Sequence, residues 1–217
     1  MVKTPSSVLR DRWLEALLPH VTFDGWTRES ADLAAKEAGL SADEQALAAP
    51  GGVLDLINHF FERAEEALES GLKSEDLTDF GVRYKVARGI RLWLDALDPH
   101  REPVRRAAQR AFLPWRTGPA AGGAWKVADT IWTGIGDAST DYNKYSKRGI
   151  LAASLPSIVF AWADSADDDE LDAMIEKTLI RAMKVGQTGG KLFKPLLAPF
   201  AQRMSCLLYT SPSPRDA

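Results

Sequence analysis

The 217-residue sequence carries 27 Lys and Arg against 30 Asp and Glu, a net charge of −3, with 45% hydrophobic and 26% charged residues. That length suits one good-sized domain or two small ones, and the composition is ordinary for a globular chain. The slightly acidic balance excludes a protein that coats nucleic acid generally and leaves only local basic patches.

Nearly every segment has the apolar spacing of an amphipathic helix and none alternates like a strand, which predicts an all-α fold. Met1–Pro19 is charged throughout and lacks the apolar core of a secretory signal. Asp11 and Glu15 also set it apart from an acidic-poor mitochondrial presequence, so the expected compartment is a bacterial cytoplasm. Ser6–Leu18 reads as the first helix, followed by Pro19-His20 and a turn at Phe23-Asp24-Gly25-Trp26. Thr27, with Ser30 as a rival, N-caps a helix to about Ala38; Gly39 closes it, and Ser41 starts a short helix that Pro50-Gly51-Gly52 ends. Val53, Leu56, Ile57, Phe60, Phe61, Ala64 and Leu68 mark one face of a longer helix.

Ser74 is expected to cap the next helix, with Val82, Val86, Ile90, Trp93 and Leu97 inward and Pro99 at its end. Glu102–Leu113 is basic, and Pro114–Gly123 reads as a loop. Trp125, Ala128, Ile131, Trp132 and Ile135 line a further helix. Ile150–Trp162 is apolar almost all round, which predicts a central buried helix kinked or opened at Pro156. At fewer than the ~20 residues a span requires, it does not cross a membrane. Asp167–Glu170 opens a helix to about Lys184.

Ala34–Ser41 has the small residues and the Gly of a helix-turn-helix corner, the pattern of a TetR-type repressor. Charge decides against DNA. Between Thr27 and Pro50 the positives are Arg28 and Lys36, while Glu29, Asp32, Glu37, Asp43 and Glu44 are negative. The would-be recognition helix, Ser41–Ala48, contains Asp43 and Glu44 without Lys or Arg, and duplex affinity comes largely from cations neutralising phosphates. The corner is therefore degenerate, and no nucleic-acid partner is expected.

Catalytic chemistry is thin. His20, His59 and His100 are scattered. His59-x-x-Glu62 shares a helix face, but a di-iron site needs such a pair twice, and no second copy exists. There is no phosphate loop, dinucleotide fingerprint or nucleophile elbow. No catalytic residue, metal or cofactor is assigned, and no enzyme is expected. The single cysteine, Cys206, lies in Cys206–Ala217, whose composition breaks with what precedes it and reads as adapter sequence joined to a truncated frame. Disulfide and thiolate chemistry drop out with it.

After Glu176, Lys177, Arg181, Lys184, Lys191, Lys194 and Arg203 appear with no acid before Ser205. Within Gly189–Met204, Leu192, Phe193, Leu196, Leu197, Phe200 and Met204 fall on one face, with Lys191 and Lys194 off it. That is the pattern of a basic amphipathic helix lying in an anionic membrane surface, although Pro195 and Pro199 interrupt its ladder.

The most distinctive string is Gly136-Asp-Ala-Ser-Thr-Asp-Tyr-Asn-Lys-Tyr-Ser-Lys-Arg148, followed by Leu151-Ala152. Ser139 or Thr140 can cap a helix start, and Asp137 and Asp141 are explained by the same capping role. The whole string, however, exceeds what a cap needs. It resembles the ninth Coq protein family, lipid-binding accessory proteins of ubiquinone biosynthesis with a TetR-like helical fold, and the resemblance runs over roughly residues 20–204.

The resemblance implies a polyprenylated quinone precursor, or another lipid, held among the C-terminal helices. The lining residues it implies are Trp132, Leu151, Leu155, Pro156, Val159 and Phe160. It implies docking of the di-iron demethoxyubiquinone hydroxylase on Ile131, Lys144, Tyr145 and Arg148; family members carry Trp at the position of Lys144, so an aromatic anchor is missing. It also implies a C-terminal amphipathic membrane helix at Lys191, Leu192, Phe193, Lys194, Leu196, Leu197 and Phe200. The resulting division is a degenerate helix-turn-helix part at 1–70, a lipid-binding core at 71–187, a membrane segment at 188–205 and a non-native tail at 206–217. A placement peripheral on the bacterial inner membrane and, by fold analogy, a homodimer complete the expectation. The rival readings are a TetR-type regulator with a lipid effector and an unrecognised enzyme acting on a quinone precursor.

Overall fold

Thr4, Thr27 and Ser41 each stand in extended backbone at the head of a helix, and each side chain accepts a bond from an otherwise unpaired first-turn amide. At Thr27 and Ser41 the third helical residue, Ser30 and Glu44, bonds back to the cap in a reciprocal box. These caps start α1 (Pro5–Asp24), α2 (Arg28–Glu37) and α3 (Ala42–Ala48). The computed structural model describes residues 4–111, 117–165 and 167–184. Among these residues the chain continues through α4 (Val53–Ser74), α5 (Val82–Leu97), a 3₁₀ turn (Asp98–His100), α6 (Arg101–Ala111), α7 (Thr117–Gly134), α8 (Asp141–Asp164) and α9 (168–184). No described residue is in a strand.

The α2–α3 corner turns on Gly39, at φ 64, with Gly39 N–H donating to the Lys36 carbonyl and Leu40 N–H to that of Ala35. This is a Schellman end, and its left-handed residue favours glycine. α1 packs on α2, α3, α4 and α6; α4 packs on α5 and α7; α8 lies on α7 and α6. Leu14, Leu56, Leu68, Ile90, Ile131 and Leu155 are completely buried at the centre of one hydrophobic cluster. Each such side chain contributes about 1.5–3 kcal/mol relative to exposure.

Several expectations change. α1 runs on through Pro19 to Asp24, and α8 is continuous through Pro156. Both prolines are exposed. On an outer helix face, the i−4 carbonyl that loses its donor can turn to water, so the helix survives. Ser74 ends α4, its hydroxyl donating to the Gly71 carbonyl, and the next helix starts only at Val82, after Gly81. The loop expected to Gly123 is helical from Thr117. The 70/71 division falls inside α4, and the hydrophobic cluster extends across it. No described helix is long and apolar enough to cross a membrane.

Candidate functional site: the α7–α8 corner

α7 ends on a second Schellman turn. Gly136 sits at φ 79, its N–H donating to the Thr133 carbonyl, and Asp137 N–H donates to that of Trp132. The turn delivers Asp137 to the side of α8, where its carboxylate becomes a hub. Asp137 Oδ1 accepts from Lys147 Nζ and from Ser139 Oγ, both at 2.8 Å; Oδ2 faces Arg148 Nη1 at 3.5 Å. Lys147 Nζ lies 2.6 Å from Ser139 Oγ and 5.0 Å above the Trp132 ring. Arg148 is itself buried, 3% exposed, and reaches back to α7 through Asp129 and, at 3.4 Å, Thr133 Oγ1. Burial works to raise the Asp137 carboxyl, but the bonds from Lys147 and Ser139 outweigh it and hold the group below its ordinary value.

The conspicuous acid of the motif is therefore a clamp between two helices rather than a cap. Thr140 occupies the N-cap position of α8 without a side-chain bond. The side chain of Asp141 lies outside the described residues.

The clamp separates the four expected docking residues. Lys144 is exposed, as is Tyr145, at 57%, whose ring stacks on Trp125 with centroids 6.4 Å apart. Ile131 and Arg148 are corrected: neither offers a surface. Ile131 is fully buried against Gly89 of α5, where an added Cβ would meet it at 3.0 Å, and Arg148 is engaged in the clamp.

The expected lipid-lining residues also divide. Leu151, Leu155 and Val159 share the buried face of α8 within the hydrophobic cluster. Trp132 is half-buried against that cluster, and Phe160 is half-buried. Pro156 is corrected: it faces outward and opens nothing toward the core, because it lies one position beyond the buried Leu155, about 100° around the helix. The two concavities described lie elsewhere. One, of about 570 Å³, runs along α9 from Asp172 to Lys184; the other, of about 250 Å³, lies between α1 and His100. All seven expected membrane-binding residues, from Lys191 to Phe200, lie outside the described residues.

Sequence reasoning missed one feature. The indole N–H groups of Trp93 and Trp132 are buried and have no acceptor among the described residues. Indole nitrogen can only donate, and a buried unpaired donor costs about 1–3 kcal/mol. Only the tertiary packing reveals this; the spacing of Trp93 in α5 marks it simply as core. The histidine chemistry is likewise local. His59 Nε2 lies 2.7 Å from Asp11 Oδ1 and its Nδ1 3.8 Å from Glu62, while His20 pairs with Glu37 at 2.7 Å. Each joins α1 to a neighbour or closes a turn of α4. Among the described residues no three His, Cys, Asp or Glu gather in a metal-holding cluster.

With this geometry in view, known proteins give a consistent picture. The model of the COQ9 family matches residues 118–186, the stretch that contains the clamp. The chain is similar to the mitochondrial ubiquinone biosynthesis protein COQ9 of Rattus norvegicus, 27% identical over 83% of this chain and 60% of the relative. It is likewise 28% identical to that of Homo sapiens, over 83% and 59%. The probable ubiquinone biosynthesis protein coq9 of Dictyostelium discoideum is 26% identical over 74% and 54%. The chain thus spans about 60% of the length of the relatives it matches first. Its fold resembles the TetR transcriptional regulator from Nitrosomonas europaea, with a TM-score of 0.63 at 17% identity, covering 81% of this chain and 98% of that one. The expected bacterial cytoplasm is overturned, because these relatives are mitochondrial proteins of eukaryotes. The chain thus has an all-α fold that resembles a TetR regulator's, and within it residues 118–186 match the model of the COQ9 family.

Proposed function

We propose that this protein is a non-catalytic accessory protein of ubiquinone biosynthesis, binding a polyprenylated quinone precursor at a membrane surface and presenting it to the demethoxyubiquinone hydroxylase. The observation that carries the reading is the coincidence of the COQ9-family segment with the clamped α7–α8 corner. A rigid corner that projects Lys144 and Tyr145 suits docking, since anchors act best when their supports are fixed. The unpaired Trp93 and Trp132 donors support a ligand bearing carbonyl oxygens, which would supply the missing acceptors. The physical need is plain: at about 0.8 kcal/mol per buried CH₂, an isoprenoid tail scarcely leaves the bilayer unaided. The acidic face of α3 weighs against the regulator reading, because Asp43 and Glu44 would meet DNA phosphates.

Docking is tested by titrating the purified hydroxylase with this protein and with Tyr145→Ala. The variant should bind about tenfold more weakly, the loss expected for one aromatic anchor, with an unchanged melting midpoint. Equal affinity for both proteins would remove Tyr145 from the interface.

A further inference from the structure

The structure places an unusual apolar surface at one end of the molecule. Phe80, Val82 and Tyr84 are 48%, 58% and 49% exposed, and the Phe80 and Tyr84 rings stack with centroids 4.4 Å apart. Arg91 binds Asp168 at 3.0 Å and Arg83 binds Glu176 at 3.4 Å, so α5 and α9 run antiparallel. In that register Ile180 and Met183, both exposed, continue past Glu176 toward the end occupied by the aromatic stack. Lys177, Arg181 and Lys184 stand along the same stretch of α9, lining its concavity. Asp76 and Asp79 precede the stack. The Asp76 carboxyl is held below its ordinary value by bonds from Thr78, and the Glu176 carboxylate is engaged by Arg83.

We propose that this α5–α9 end is a membrane platform in its own right, seating the Phe80–Tyr84 stack, Ile180 and Met183 at the headgroup layer of an anionic bilayer. The proposal rests on the membrane attachment argued above and adds a contact within the folded domain. Three observations select a bilayer as the occupant. Exposed aromatics beside basic side chains are the composition of a shallow interfacial contact, in which Lys and Arg stems lie on the apolar surface and their charges reach the headgroups. The sequence from Lys177 to Arg203 carries no acid. Finally, the described part of α9 ends at Lys184, beyond Ile180 and Met183 at this same end, and the sequence that follows it is basic.

The platform would hold the molecule in one orientation, which a single tethering segment does not do. A tether fixes distance; two contacts fix a face. The α7–α8 corner would then stand at a set height above the membrane.

The test uses the full chain with vesicles of phosphatidylcholine alone and of phosphatidylcholine mixed with phosphatidylglycerol. The double variant Phe80→Ser, Tyr84→Ser should partition onto the mixed vesicles at least about tenfold more weakly, and Lys177→Glu, Arg181→Glu should lose binding selectively on them. In a Cys206→Ser background, an environment-sensitive dye on Tyr84→Cys should brighten and shift to the blue on vesicles, whereas the same dye on Asp43→Cys should not. A silent Tyr84 label on chain that remains bound overturns the platform. If binding is then lost only in Leu192→Ser, Phe193→Ser, attachment belongs to the C-terminal segment alone. A double variant that changes from dimer to monomer without losing partition would make this face a contact between copies, which also overturns the proposal. Co-purified lipid reports separately on the carrier reading.

Discussion

Asp137 and Arg148 illustrate how a motif residue can be legible and its role not. The string from Gly136 to Arg148 was the strongest signal in the sequence, and residues 118–186 match the COQ9 family. Its acids looked like caps because local sequence offers only local partners. In the fold, Asp129 and Thr133 on α7 lie across from Arg148 on α8, and Asp137 between them meets Lys147. The antiparallel packing of α7 on α8 creates those contacts. That packing buries Arg148, and α5 covers Ile131 at Gly89; no spacing argument separates either from the exposed Tyr145. A pH dependence follows. The Asp137 carboxyl is held below its ordinary value, so its stabilising contribution is fully present above the unfolded-state value of about 4 and is lost as pH falls through the lower folded value. Asp137→Asn should cost about 1.5–3 kcal/mol at neutral pH, the range for hydrogen bonds to charged groups. The gap from the parent should close as acidification protonates Asp137. Urea melts at neutral pH and below pH ~3 check this; a gap independent of pH would contradict it.

At the scale of elements, apolar periodicity and capping chemistry were sufficient for most helices. Thr27 and Ser41 cap where expected, Gly39 closes α2, and the buried face of α4 is the one read from its spacing. The errors cluster at prolines and at weakly patterned stretches. A proline on an outer face is tolerated at a cost, because the carbonyl that loses its donor can bond water, and sequence does not show which way Pro19 or Pro156 points. Thr117–Gly123 looks like a loop because its Gly and Pro lower helix propensity, yet it forms the first turns of α7. Since Pro156 is exposed within a continuous helix, replacing it should restore a backbone bond without disturbing the core. Pro156→Ala is expected to raise stability by about 1–3 kcal/mol and to leave ligand capture unchanged. A lower melting midpoint would show that the proline relieves strain absent from this account. Leu155 behaves oppositely. It is fully buried in the cluster, so Leu155→Gln tests the core rather than a ligand cavity.

For the whole molecule, fold and surface chemistry point in different directions. The fold resembles that of a TetR transcriptional regulator, with the helix-turn-helix corner intact in geometry: two reciprocal caps and a left-handed glycine between the helices. The surface chemistry is not a repressor's, since α3 presents Asp43 and Glu44 without a cation. Fold alone would have pointed to DNA; the charge of α3 argues against it, and the COQ9-family match at residues 118–186 and the similar COQ9 proteins support a role in ubiquinone biosynthesis. What the sequence could not reveal is where a ligand would be sensed, because acceptor-less indoles are a property of packing. The central claim is that a quinone precursor occupies this domain, and mass spectrometry of lipid extracted from protein purified out of a ubiquinone-producing host tests it most directly. The account predicts a polyprenylated ring compound at a substantial fraction of one per chain, reduced several-fold in Trp93→Phe at a stability cost below about 2 kcal/mol. Folded protein that carries no isoprenoid, or carries it equally with and without the Trp93 donor, would contradict the account.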